Sequence, residues 1–163
     1  MTSTSAFDPA VASAATEAAR ELLRSAGLRV TAPRLAVLGA VDQMPHSGAD
    51  ALFGAVRGAL PGTSLQAVYG VLGALASAGL VRRIEPAGSS ALYERRIADN
   101  HHHIVCTGCD AIADVDCVHG MAPCLVPSGT HGFAVQSAEV TFWGLCPACQ
   151  TTLPSPITTE GRP

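Results

Sequence analysis

The chain has 163 residues, enough for one ordinary domain or two small ones, and with 48% hydrophobic and 14% charged residues it is not intrinsically disordered overall. It contains no run of about 18 apolar residues that could span a membrane, and its start, MTSTSAFDPA, lacks the basic segment and apolar core of a secretory signal, so we expect a cytoplasmic protein with no membrane partner. The formal net charge of −3 argues mildly against a nucleic-acid partner.

Helices are predicted along the first half of the chain, from about residue 16 to residue 80. The first helix ends near Gly27, which suits the left-handed position that follows a helix. The second begins after Thr31, an N-cap candidate, with Pro33 in its first turn. Residues 1–15, rich in Ala, Ser and Thr, predict either a frayed end or an initial helix.

Two more helices are predicted, one from Ser47 to the Pro61-Gly62 stop and one from Thr63 to Ala78. Thr63 and Gln66 have the spacing of a capping box. One face of the last helix carries an apolar stripe at helical spacing, formed by Leu65, Val68, Leu72 and Leu75.

Two short strands, within residues 81–85 and 91–94, follow the helices. Short helices followed by a hairpin are the element order of a winged helix-turn-helix, which lays one helix in the DNA major groove. In such a domain the candidate phosphate contacts are Arg34, Arg57, Arg82 and Arg83, and the candidate base or sugar contacts are Gln66 and Tyr69. The alternative is a plain helical subdomain with solvated arginines and a half-buried tyrosine, and element order does not decide between the two.

Two C-x-x-C pairs stand in the second half of the chain, Cys106 with Cys109 and Cys146 with Cys149, with 36 residues between them. Two such pairs complete the tetrahedral sulfur shell of structural zinc, which is the favoured interpretation. Two disulfides are the alternative, but no export signal supports an oxidising compartment. A thioredoxin-like redox pair is less favoured because neither pair opens an obvious helix after a strand. Cys117 and Cys124 are assigned no role.

Three consecutive histidines, His101–His103, lie just before the first cysteine pair. In a strand, His101 and His103 project from one face and His102 from the other. One ion would therefore meet two imidazoles, and the candidates for further ligands are His46, Glu94 and Asp114. A mixed nitrogen and oxygen site suits Fe(II), Mn(II) or Zn(II).

Charge separates the two halves. Residues 1–97 hold nine arginines against seven acidic residues, a net charge of +2, whereas residues 98–163 hold one arginine against six, a net charge of −5. We therefore predict a DNA-binding domain over 1–97, a metal-binding domain over 98–150 and a disordered tail over 151–163. The weakly basic first half removes the objection to a DNA partner.

A winged helix followed by a histidine run and two C-x-x-C pairs resembles the ferric uptake regulator (Fur) family of bacterial metalloregulators, over about residues 16–150. The resemblance implies an α+β protein, in which an N-terminal winged helix-turn-helix precedes a small α/β dimerisation domain stapled by a four-cysteine zinc site. It also implies a repressor rather than an enzyme, a homodimer that binds double-stranded DNA at palindromic operators when its sensing metal is bound.

The resemblance assigns residues to each site. The structural zinc ligands match Cys106, Cys109, Cys146 and Cys149. The regulatory site, for Fe(II) or Mn(II) with Zn(II) as an in vitro substitute, matches His46, Glu94, His101 and His103. Tyr69 matches the recognition-helix tyrosine, although the basic residue often found next to it is Gly70 here. A further metal site of the family falls on Asn100, His102, Met121 and Ala138, so we expect that site to be absent or altered.

Asp114 lies five residues after Cys109, where peroxide-sensing members of the family place an aspartate ligand. In those members peroxide reacts with bound iron and a ligand histidine is oxidised, which here implies His46 or His101. The stretches 113–117 and 122–125 also resemble actinobacterial members that repress catalase-peroxidase genes. A peroxide-sensing repressor is therefore favoured over an iron-responsive repressor. A zinc sensor lacks the expected regulatory cysteine, and a zinc-stapled protein-interaction module is the alternative from another class.

Overall fold

A computed structural model describes residues 9–86, 89–95, 101–116, 129–134 and 140–152, with only the backbone at residues 9–14. The chain divides into two units, Met1–Ala98 and Asp99–Pro163, called here the first and second unit. In the described parts of the chain no helix is long and apolar enough to cross a membrane.

The first unit contains four helices and a small antiparallel sheet. The helices are α1 (Pro9–Ser25), α2 (Ala32–Gln43), α3 (Ala49–Val56) and α4 (Leu65–Ser77), and the strands are β1 (Ser47–Gly48), β2 (Arg82–Ile84) and β3 (Leu92–Glu94). The sheet order is β1-β3-β2, and the hairpin of β2 and β3 is called the wing below. The predicted helix-then-hairpin order of a winged helix is confirmed.

Local signals explain where α1 and α2 begin and end. Gly27 follows α1 with a φ of +71°, a left-handed conformation that glycine adopts without steric cost. The Thr31 side chain accepts a hydrogen bond from the backbone N–H of Arg34 at 3.4 Å and caps α2. Both predictions are confirmed.

One apolar core holds the first unit together. Val68, Leu72 and Leu75 of α4 are buried in it, as the predicted stripe requires, and Leu65 is half-buried at its margin. The buried members of the core are Leu23, Val37, Leu38, Ala40, Val41, Ala49, Leu52, Val56, Val68, Leu72, Leu75, Leu80, Val81 and Tyr93. The core thus joins all four helices to the wing and leaves the outer face of α4 exposed.

Two predicted helix starts were wrong. Ser47 does not begin a helix, because Ser47 and Gly48 form β1, which pairs with β3, and α3 begins at Ala49. The N-cap of α4 is Ser64 rather than Thr63, since the Ser64 hydroxyl accepts the N–H of Ala67 at 3.1 Å. Each start lies within two residues of the prediction, but the strand was missed.

The second unit contains a three-stranded sheet and one short helix. Its elements are β4 (His101–Cys106), β5 (Ile112–Asp116), β6 (Thr141–Gly144) and α5 (Pro147–Thr152). The central strand β4 pairs antiparallel with β5 and parallel with β6. Thr151 and Thr152, which the sequence analysis assigned to the tail, are the last two residues of α5.

Some predictions concern residues outside the described ranges. These are the rest of the tail, the two cysteines without a role and three of the four positions of the family's further metal site, namely 153–163, Cys117, Cys124, Asn100, Met121 and Ala138.

Candidate metal centres and DNA-binding face

Four cysteines of the second unit come together where β4 ends and α5 begins. The sulfur atoms of Cys106, Cys109, Cys146 and Cys149, called here the four-cysteine cluster, all lie within 4.8 Å of one another. The chain forms a turn from Cys106 to Cys109, and the two closing residues come from the segment after β6. The Sγ atoms of Cys109 and Cys146 are 3.7 Å apart. All four thiols are free rather than paired in disulfides.

Backbone amides lower the pKa of the Cys106 thiol. The N–H groups of Cys146 and Gly108 donate to its Sγ at 3.2 and 3.4 Å and lower the pKa of Cys106 to about 6. Cys109 and the other neighbouring thiols raise the pKa of Cys149 to about 12, because adjacent sulfurs disfavour a second negative charge. A cation that allows all four sulfurs to be thiolates suits this donor set, and soft sulfur ligands suit zinc.

The sequence argument against a redox pair was wrong in one respect. Cys146 does lie between a strand and a helix, because β6 ends at Gly144 and α5 begins at Pro147. What distinguishes the cluster from a thioredoxin-like site is that the two C-x-x-C pairs meet. A dithiol redox site needs one such pair, whereas a tetrahedral metal shell needs both.

The histidine run lies on β4 with the predicted alternation. The Nε2 atoms of His101 and His103 are 3.2 Å apart, and their rings meet edge to face with centroids 4.8 Å apart. Asp114 of β5 is the direct cross-strand partner of His103, and its Oδ1 lies 3.7 Å from Nε2 of His103 and 4.0 Å from that of His101. Both histidines are at most 5% exposed. The second unit therefore gathers two imidazoles and one carboxylate.

His102 lies on the opposite face of β4. Its ring meets Phe142 of β6 edge to face, with centroids 6.1 Å apart. The pleat of the strand separates His102 from its two neighbours, so it cannot join their donor set.

His46 and Glu94 form a second half-set of candidate ligands, within the first unit. Nε2 of His46 lies 2.9 Å from Oε2 of Glu94, a carboxylate that is only 1% exposed. The missed strand explains the pair: β1 pairs Ser47 with Tyr93, which brings the residue before β1 next to the residue after Tyr93. His46 has a φ of +58°, a left-handed conformation that costs free energy for a residue other than glycine. Neither half-set by itself supplies the five or six donors that Fe(II) or Mn(II) prefers.

One arginine outside the proposed ligands lies close to this half-set, and another follows Glu94 in the sequence. Nη1 of Arg82 lies 3.8 Å from Oε1 of Glu94. Arg95, directly after Glu94, forms an ion pair of 3.3 Å with Asp42 at the end of α2. The sequence carries no signal for the Arg95–Asp42 pair, since the residues are far apart in the chain.

The outer face of α4 presents two of the predicted DNA contacts. Gln66 and Tyr69 are exposed there, Tyr69 to 43%. Arg57 is exposed at the end of α3, whereas Arg34 donates from Nη1 to the carbonyl of Arg29 at 2.8 Å. Arg82 is three-quarters buried against Glu94. Gln66 and Tyr69 thus share one helix face, and the arginines are spread over other elements.

Comparison with known proteins gives the family. Residues 25–142 match the sequence profile of the ferric uptake regulator family. The transcriptional regulator FurA of Mycobacterium tuberculosis is 61% identical over 129 residues, covering 79% of this chain and 88% of that protein. The peroxide operon regulator of Bacillus subtilis is 29% identical over 137 residues, covering 80% of this chain and 90% of that protein.

A solved structure confirms the fold class. The ferric uptake regulator of Pseudomonas aeruginosa, solved with manganese, superimposes with a TM-score of 0.58 at 24% identity, covering 79% of this chain and 98% of that one. The predicted α+β architecture, a winged helix followed by a dimerisation domain, is the fold of this family. Proteins of the family are metal-dependent transcriptional regulators that bind DNA and act as dimers, and they are not enzymes. The chain belongs to the ferric uptake regulator family.

Proposed function

We propose that this protein is a peroxide-sensing repressor that controls catalase or other oxidative-stress genes. It acts in the cytoplasm as a homodimer on a palindromic operator, with residues 1–97 binding DNA and residues 98–150 dimerising and sensing metal. The proposed structural zinc ligands are the four-cysteine cluster. The proposed regulatory ligands for Fe(II) or Mn(II) are His46, Glu94, His101, His103 and Asp114.

One observation carries the peroxide assignment: the position of Asp114. Its carboxylate faces His101 and His103 across the β4–β5 pair at 4.0 and 3.7 Å. With His46 and Glu94, three nitrogen and two oxygen donors are available, a hard and borderline set that suits Fe(II) and Mn(II) better than a thiolate set does. An aspartate at this position is the ligand that the family resemblance associates with peroxide sensing.

The ligands come from both units, and this gives the proposed mechanism. His46 and Glu94 belong to the DNA-binding unit, whereas His101, His103 and Asp114 belong to the second unit. Joint coordination would tie the two DNA-binding domains of a dimer to the half-site spacing of the operator. The arrangement that binds DNA would then be the major state only while all ligands are engaged. By linkage, DNA must raise the affinity for the regulatory metal by the same factor.

Peroxide would end this joint coordination of the metal by oxidising one ligand imidazole. Fe(II) held by these ligands would activate hydrogen peroxide, which transfers one oxygen atom to a ligand imidazole and releases the other as water. His46 or His101 would gain one oxygen atom, which lowers the ability of the ring to act as a ligand. Both side chains are well placed for such a reaction, since each lies at hydrogen-bond distance from another proposed ligand. The event consumes the sensor and is not turnover.

An iron-responsive repressor is the second candidate. The likeness to FurA and the family's own description favour it, because they connect the chain to ferric uptake regulation. The two functions use the same ligands and differ in the response to peroxide.

The test is operator binding with Fe(II), Mn(II) or Zn(II), before and after peroxide, with mass spectrometry of the peptides that contain His46 and His101. We expect the iron-loaded protein to lose operator binding as one of these peptides gains an oxygen atom, while the manganese-loaded protein keeps binding. The variant H102N is the matched control, because His102 faces the other side of β4 and its loss should leave the response intact. Iron-loaded protein that keeps its operator after peroxide, with unmodified histidines, would refute peroxide sensing and favour the iron-responsive repressor.

A further inference from the structure

Arg82 lies where the wing meets the proposed metal ligands. It is the direct cross-strand partner of Glu94, and its Nη1 is 3.8 Å from Oε1 of that carboxylate. The other carboxylate oxygen, Oε2, lies 2.9 Å from Nε2 of His46. The Arg82 side chain is 25% exposed, whereas that of Glu94 is 1% exposed. The arginine side chain is therefore partly exposed, while its guanidinium lies near a buried carboxylate.

We propose that Arg82 and the regulatory cation compete for Glu94, so that metal occupancy decides whether this guanidinium is held by the carboxylate or is available to a DNA phosphate. The inference rests on the proposed function, since it takes Glu94 as a ligand of the regulatory metal. It adds a route by which the metal acts inside the DNA-binding unit, separate from any change between the units.

Burial makes the competition strong. An ionised carboxylate that is almost fully removed from water needs an opposite charge or good hydrogen-bond donors, and Arg82 and His46 are among the groups that face Glu94. A divalent cation on Glu94 satisfies the same need with a larger charge. The cation then repels the guanidinium, which costs more in a partly desolvated pocket than in water. Metal binding thus weakens the attraction that holds Arg82 to Glu94.

The position of Arg82 on the wing indicates where its guanidinium moves when the metal binds. Arg82 is part of the wing, the element that a winged helix rests on the DNA backbone. Its side chain is already partly exposed, so a change of rotamer takes the charge to solvent without moving the strand. A phosphate is then the strongest partner that DNA offers, because guanidinium binds phosphate oxygens in a bidentate manner.

Arg83 provides an internal comparison. It is the next residue of β2 and therefore projects from the opposite face of the strand. Its side chain is 52% exposed and pairs with Glu85, not with the buried carboxylate. Arg83 has the same charge on the same strand but no access to Glu94, so it should contact DNA without responding to the metal.

The test measures metal and operator affinity separately in R82Q and R83Q, with the zinc site filled. Manganese alone is the probe, titrated by electron paramagnetic resonance of free Mn(II). We expect R82Q to bind Mn(II) roughly fivefold more tightly, because a competing positive charge is gone. Its operator affinity in saturating manganese should fall, with the slope of log affinity against log salt smaller by about one. R83Q should leave the manganese affinity unchanged, and R82K should restore the parent value.

If Arg82 competes with the metal, R82Q binds manganese more tightly and the operator more weakly, and these opposite changes distinguish competition from a structural role. A damaged wing would weaken both manganese and operator binding in R82Q. Unchanged or weaker manganese binding by R82Q would overturn the inference. The variant E94Q tests the proposed function itself: if it keeps the parent manganese affinity, Glu94 is not a ligand and the proposed site fails. If E94Q loses manganese while R82Q behaves like the parent protein, the inference alone fails.

Discussion

The variant C109S removes one thiol of the four-cysteine cluster, and we expect it to unfold the second unit while the first unit stays folded. The two units have very different apolar cores. Among the residues that the structure describes, the buried apolar side chains of the second unit are Val105 and Cys106, and all others belong to the first unit. Within one protomer, the described sheet of the second unit therefore buries little apolar surface of its own.

Magnitudes support this expectation. Complete burial of one valine contributes about 1.5–3 kcal/mol, whereas binding of structural zinc contributes about 10–16 kcal/mol in small zinc domains at neutral pH. Whole domains are stable by only about 5–15 kcal/mol. Cys109 is one of the four proposed zinc ligands, and its sulfur lies 3.7 Å from that of Cys146, so C109S would leave only three thiols to hold the metal. The described apolar contacts within one protomer are therefore smaller than the contribution expected of the metal.

Hydrogen exchange followed by mass spectrometry is the assay, with zinc content and far-UV circular dichroism measured on the same samples. Amides of β4, β5 and β6 should exchange at the rate of an unfolded chain in C109S, while those of α2 and α4 keep their protection. The matched control is C117S, the same chemical change at a cysteine outside both C-x-x-C pairs. A zinc-free C109S protein with parent-like protection in β4 would refute the reasoning.

Three more predictions concern the first unit. S64A should lower the free energy of unfolding by about 1 kcal/mol in urea denaturation, because Ser64 caps α4, and T63A should change it by less than about 0.5 kcal/mol. L72A should cost about 2–5 kcal/mol in the same assay, since Leu72 is fully buried and its loss leaves a cavity. Y69A should weaken operator binding in a gel-shift titration with an unchanged melting temperature, because Tyr69 is 43% exposed, whereas Y93A should lower the melting temperature. Parent-like operator affinity in Y69A would contradict a DNA contact at α4.

The helices were largely predictable because their signals are local. The apolar stripe of α4 and the Thr31 cap lie within a few residues of the backbone groups that they organise. The strand β1 was not predictable, because two residues such as Ser47 and Gly48 carry no periodicity and pair only through the distant β3. The pairing of β1 with β3 prevents a helix from starting at Ser47.

The candidate metal site likewise has one part that the sequence predicts and one part that it does not. His101 and His103 share one face of β4 because side chains alternate between the two faces along a strand. The contact between His46 and Glu94 could not be derived from spacing, because 48 positions separate the residues and the missed strand joins them. For this pair the family resemblance supplied what local patterns could not.

Several features that are unfavourable in an ordinary folded chain lie at the proposed metal ligands. His101 and His103 are buried side by side on one strand, the Glu94 carboxylate is 1% exposed, and His46 has a positive φ. Without a bound cation, each feature lowers the stability of the folded chain. The rest of the first unit is stabilised by ordinary apolar packing and helix caps. With a bound cation the same buried groups stabilise the fold, because the cation is the partner that buried imidazoles and carboxylates need. The stability of the ligand pairs should therefore depend on the metal far more than the helical core does, and that difference is what lets a metal control the protein without refolding its DNA-binding helices.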